Sequence, residues 1–170
     1  NHMSYTTNNQ KGSIAIVGKH IKLPKIGYVR VKQHRDIIGI IKSVTVSQVP
    51  SGKYYASLLV ETEHIELPHT EYKVGLDLGI KDLCITSDGY KYENPKTLRK
   101  YEKQLTKLQR QLSSKEKGST NFYKIKRKIA RYHEKITNIR KDNLHKISHQ
   151  LINDNQVIVS EDLTVSNMIK

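Results

Sequence analysis

Between Leu98 and Ile139 the apolar residues fall at alternating steps of three and four: Leu98, Tyr101, Leu105, Leu108 and Leu112, then Phe122, Ile125, Ile129, Tyr132, Ile136 and Ile139. A mean step of 3.5 leaves one narrow apolar stripe on each of two helices, which must be buried along a shared seam. The polar stretch Ser113-Ser114-Lys115-Glu116-Lys117-Gly118-Ser119 interrupts the pattern. Two helices joined by so short a loop are predicted to pair antiparallel, as a hairpin over about 96–152. The first would be roughly 30 Å long. Beyond Ile139 the spacing shifts to Leu144, Ile147 and Leu151, which predicts that the second helix changes its packing partner there.

The rest of these helices is cationic. From Lys96 to Lys141 there are 16 basic residues and three acids, Glu102, Glu116 and Glu134, so this quarter of the chain holds nearly all of the formal net charge of +14. A solvated helix ordinarily mixes signs. One-sided charge points to a polyanion, nucleic acid before anionic lipid. Lys103, Lys107, Arg110, Lys124, Arg127, Lys128, Arg131 and Lys135 are the candidate nucleic-acid-binding residues.

Residues 14–70 have a different rhythm. Short apolar or alternating runs at 14–17, 20–23, 28–32, 37–47 and 54–62 are parted by turn signals at Gly18, Pro24–Gly27 and Pro50–Gly52. Such spacing predicts a small barrel-like or curled β unit. Residues 1–13 are read as a tag remnant and a disordered start. After Pro68, three strands are expected at about 72–78, 82–87 and 90–93, with Asp88-Gly89 as a hairpin turn between the last two. Pro95 suits the first turn of the helix that follows. The run Gln156–Ser160 then reads as a buried strand leading into Glu161.

Two of these strands end in acids. Two-metal phosphodiester hydrolysis needs carboxylates that hold Mg²⁺ or Mn²⁺ ions roughly 4 Å apart across the scissile phosphate. Asp77 and Glu161 meet that need if their strands lie side by side. Asp77 is embedded in Val74-Gly75-Leu76-Asp77-Leu78-Gly79-Ile80, where burial would be costly without a partner. Taken singly, an acid at a strand end more often caps a turn or opens a surface helix, and the residues alone leave both readings open. Cys84 reads as a core filler. His145 and His149, four apart, lack a visible third ligand.

The segment Lys73-Val-Gly-Leu-Asp-Leu-Gly-Ile-Lys-Asp-Leu83 resembles the first RuvC motif of the OrfB/TnpB family, transposon-associated relatives of type V CRISPR effector nucleases. Asn138–Ser148 resembles that family's helix before the next strand, and Val157-Ile-Val-Ser-Glu-Asp-Leu163 with Met168 resembles its second RuvC motif. The resemblance implies an α+β chain: a barrel-like wedge segment over 14–70, then a partial RNase H-like (RuvC) domain over 71–170 with the basic hairpin inserted. It implies Asp77 and Glu161 as catalytic metal ligands for Mg²⁺ or Mn²⁺, and DNA and a structured guide RNA as partners. The family's helical recognition domain, its Cys-x-x-Cys zinc ribbon and its third acidic motif do not occur in these 170 residues. The expectation is therefore a fragment, with zinc only in the missing C-terminal part and with little or no cleavage of its own. A non-catalytic DNA- or RNA-binding module is the alternative for this chain alone. One cysteine excludes an internal disulfide framework, and no apolar run is long enough for a membrane span, so a cytoplasmic setting is expected.

Overall fold

A computed structural model describes residues 3–64 and 66–162. The chain divides into two compact units, residues 1–65 and 66–170.

The first unit holds two three-stranded antiparallel sheets. One is built from β1 (Met3–Asn8), β5 (Ile40–Gln48) and β6 (Tyr54–Glu61) in the order β1-β5-β6. The other joins β2 (Ala15–Val17), β3 (His20–Leu23) and β4 (Gly27–Arg30) in sequence order. Ile14, Ile21, Leu23 and Val44 form the core between them, with Ile16, Val31, Ile41, Val46 and Leu58 packed around it. The β5–β6 hairpin turns through Val49–Lys53, where Val49 N donates to Lys53 O at 3.0 Å and Gly52 takes φ +86°.

Two expectations change here. Residues 3–8 form a strand: Tyr5-Thr6-Thr7 is β-prone and pairs with Thr45 and its neighbours, Tyr5 opposite Val46 and Thr7 opposite Val44. Nor is there a closed barrel among the described residues. Closure requires every edge strand to be paired, but β2 and β4 end their ladder with no hydrogen-bonded partner in the β1-β5-β6 sheet.

The second unit contains a four-stranded sheet and the helical hairpin. β8 (Asp82–Thr86) runs antiparallel to both β7 (Lys73–Leu78) and β9 (Lys91–Glu93), and β10 (Val157–Ser160) lies parallel to β7 on its other side, giving the order β10-β7-β8-β9. A parallel neighbour requires a long crossover, and the hairpin supplies it: α1 (Thr97–Ser113) and α2 (Thr120–Asp154). Ser119 caps α2, its side chain accepting from Phe122 N at 3.1 Å. Leu105 and Ile136 are buried in the seam, and the Tyr101 and Tyr132 rings meet at 5.9 Å. Leu98 departs from the seam and is 59% exposed. The helix begins two residues after Pro95, because Lys96 takes a left-handed φ of 43° before it.

At 35 residues α2 is twice the length of α1, about 50 Å. Its far end meets the sheet instead of the hairpin: Leu151 is buried and lines a hollow with Val74, Thr86 and Tyr92. The shift in apolar spacing beyond Ile139 marks that change of partner. β10, expected to be buried, is exposed along all four residues. It is the outermost strand, and nothing among the described residues pairs with its far side.

Candidate functional site

Side chains alternate across a sheet, and laterally paired residues share a face. In β7, Val74 is buried and Leu76 half-buried, while Asp77 is exposed. Cys84 and Thr86, paired with Leu78 and Leu76, are buried on the Val74 face; that burial pushes the Cys84 thiol upward. Asp77 therefore stands on the opposite face, with Lys73, Gly75 and Ile85. The backbone there is closely held: Gly75 N donates to Ser87 Oγ at 3.1 Å and Ser87 N donates back to Gly75 O at 2.8 Å. A Cβ on Gly79 would come within 3.0 Å of Asp82 O, so glycine lets the β7–β8 turn close directly after Asp77.

The register of β10 brings in the second acid. Val157 lies opposite Lys73, Ile158 opposite Val74, Val159 opposite Gly75 and Ser160 opposite Leu76. One step further on each strand are Glu161 and Asp77. Parallel strands lie about 4.8 Å apart, and Glu161 and Asp77 directly follow the paired residues Ser160 and Leu76. Both residues are exposed, although the apolar neighbours of Asp77 in sequence suggested burial. Carboxylate oxygens of this kind suit a hard divalent cation. Among the described residues no third His, Cys, Asp or Glu joins them in a cluster. His145 and His149 are likewise outside any such cluster; the His149 ring contacts Asn153 Nδ2 at 2.9 Å.

All eight candidate nucleic-acid cations are exposed on the hairpin: Lys103, Lys107 and Arg110 on α1, Lys124, Arg127, Lys128, Arg131 and Lys135 on α2. Their spacing puts the α1 trio in one stripe and Lys124, Lys128, Arg131 and Lys135 in another. None forms an ion pair with a carboxylate among the described residues. Lys135 alone is engaged, its Nζ 5.0 Å from the centre of the Tyr101 ring.

A second cationic cluster escaped the periodicity argument: Lys96 and Arg99 at the start of α1, and Arg140 on α2, line one concavity. The available signal was the start of α1 itself, which has neither a capping side chain nor an acid in its first turn.

Among the described residues no helix is long and apolar enough to cross a membrane. A family model described as "Probable transposase", OrfB_IS605, matches residues 57–170. The chain is 46% identical over 151 residues to a protein of Escherichia coli K12 named "Putative RNA-guided DNA endonuclease InsQ", covering 88% of this chain and 37% of that protein. It is also 46% identical over 128 residues to a Streptomyces pristinaespiralis protein named "Putative RNA-guided DNA endonuclease", covering 75% of this chain and 32% of that one. The chain thus spans about a third of the length of these curated relatives. The family match extends over both acidic strands and the whole hairpin between them: this chain belongs to the OrfB_IS605 transposase family.

Proposed function

We propose that the chain is the central part of an RNA-guided DNA endonuclease, with Asp77 and Glu161 as two of its catalytic carboxylates. The observation that supports this reading is the parallel β7–β10 register, in which Ser160 lies opposite Leu76 immediately before Glu161 and Asp77. A sheet of three antiparallel strands with a parallel return after a helical crossover also supports an RNase H-like (RuvC) reading of this unit. The names of the two relatives favour the same activity.

In this reading Asp77 and Glu161 hold Mg²⁺ or Mn²⁺, which supplies Lewis-acid polarisation of a phosphoryl oxygen when bound. The carboxylates stay on the open side of the sheet, where a nucleic-acid backbone has access. The hairpin cations bind the polyanion through its phosphates, without reading sequence. Guide RNA and DNA are the partners, and specificity comes from base pairing between them.

The test is made in a full-length relative-sized protein containing this segment. Asp77→Ala and Glu161→Ala are each expected to lower Mg²⁺-dependent DNA cleavage by at least about a thousandfold, with guide RNA binding retained. Undiminished cleavage by either variant sinks the proposal. The chain of 170 residues alone is expected to bind nucleic acid without cutting it, because two carboxylates without a third hold metal weakly.

A further inference from the structure

The N-terminal end of α1 lies in a concavity of about 550 Å³ that the carboxylate site does not use. Its floor is the start of the helix. Thr97, the first helical residue, is 4% exposed, and its Oγ1 has no hydrogen-bond partner. The Thr97, Leu98 and Arg99 amides have no acceptor among the described residues, while Lys96 N is satisfied by Asn94 Oδ1 at 3.1 Å. Free amides at the positive end of a 17-residue helix favour an anion. Three cations from two helices, Lys96, Arg99 and Arg140, surround that end against one acid, Glu102.

Apart from Asn94 and Asn143, the remaining wall is apolar. Ile80 and Leu144 line the concavity at 54% and 47% exposure, beside Leu98, which the hairpin seam leaves outside. A hollow with an anion site on one side and exposed aliphatic surface on the other matches a nucleotide better than a bare phosphate. Ile80 belongs to the turn that follows Asp77, so this hollow and the carboxylates share one end of the sheet.

We propose that this concavity is a nucleotide site for a nucleic-acid strand. The α1 amides, Arg99 and Arg140 take one backbone phosphate, and the attached base or sugar rests on Ile80, Leu98 and Leu144. The role of the site, setting the strand relative to Asp77 and Glu161, rests on the nuclease reading; its binding chemistry does not.

The test uses the 170-residue chain and a 5′-phosphorylated thymidine dinucleotide, followed by amide NMR. The expected result is that the Thr97, Leu98, Arg99 and Ile80 amides move. Arg140→Gln weakens binding about tenfold, as expected for a lost charge-assisted contact, and Arg140→Lys recovers part of it. Shifts confined to the 103–135 flanks, or unchanged affinity in a folded Arg140→Gln chain, overturn the site. An abasic dinucleotide or inorganic phosphate that binds as tightly as the thymidine dinucleotide overturns the nucleotide assignment. None of these readouts involves cleavage, so failure here is separate from failure of the nuclease reading.

Discussion

Lys135 Nζ lies 5.0 Å from the centre of the Tyr101 ring, which ties the cationic flank of α2 to the seam of α1. Tyr101 in turn meets Tyr132 across that seam. An exposed cation–π contact contributes about 0.5–1 kcal/mol. Its larger effect is to hold one lysine of the stripe to a fixed place while its neighbours remain free for phosphate.

Charge reversal at Arg127, Lys128 and Arg131 is therefore expected to weaken RNA and DNA binding strongly. About six phosphate contacts give a log–log salt slope near −5, and each lost cation flattens it by about one unit. Fluorescence anisotropy across a salt series reads both quantities. Unchanged affinity and slope would mean that this face is only a solvated surface.

Mn²⁺ added to the isolated chain is expected to bind at about millimolar strength. Paramagnetic broadening should centre on the Asp77 and Glu161 amides, and Asp77→Asn should remove it. Broadening that centres on His145 and His149 would place the metal elsewhere.

Gly39 sits at φ +114°, and a Cβ there would collide with the Glu61 carbonyl oxygen at the edge of the β5–β6 hairpin. Gly39→Ala is expected to cost about 2–4 kcal/mol through backbone strain and steric displacement. Urea unfolding of the chain followed by far-UV dichroism checks this. A loss under about 1 kcal/mol would show that residues 31–39 rearrange cheaply.

Asp88 is expected to give an acid limb to stability. The Thr86 hydroxyl donates to its carboxylate, which holds the group below the ordinary carboxylate range. A depressed folded-state value means that the contribution is present above the unfolded value and lost as pH falls through the folded one. Melting curves should decline below about pH 4, and Asp88→Asn should flatten part of that decline. Identical acid limbs in both chains would remove Asp88 from the account.

The helices and most strands were legible because their signals are local. Step spacing placed the Leu105–Ile136 seam, and Asp88-Gly89 placed the β8–β9 turn. The parallel return of β10 beside β7, just before Glu161, was legible only as a condition, since register depends on where a long excursion returns. Sequence could not foresee that Val157–Val159 would be exposed: an apolar run looks the same whether both sides of its strand are covered or only one. The exposure of Leu98 was hidden for a related reason, because a seam stops where its partner diverges. β1 was missed for the simplest reason, the exclusion of residues 1–13 from the strand pattern, although Tyr5-Thr6-Thr7 carries β-branched and aromatic character.

The outward position of β10 has a practical consequence for this chain in solution. Among the described residues nothing pairs with its outer margin, where Val157, Ile158 and Val159 are exposed with no lysine or proline between them. Natural sheets usually guard such a border against edge-to-edge addition. A margin left uncovered in this way templates aggregation, so the 170-residue chain is expected to clump as concentration rises, and Val159→Lys to keep it dispersed.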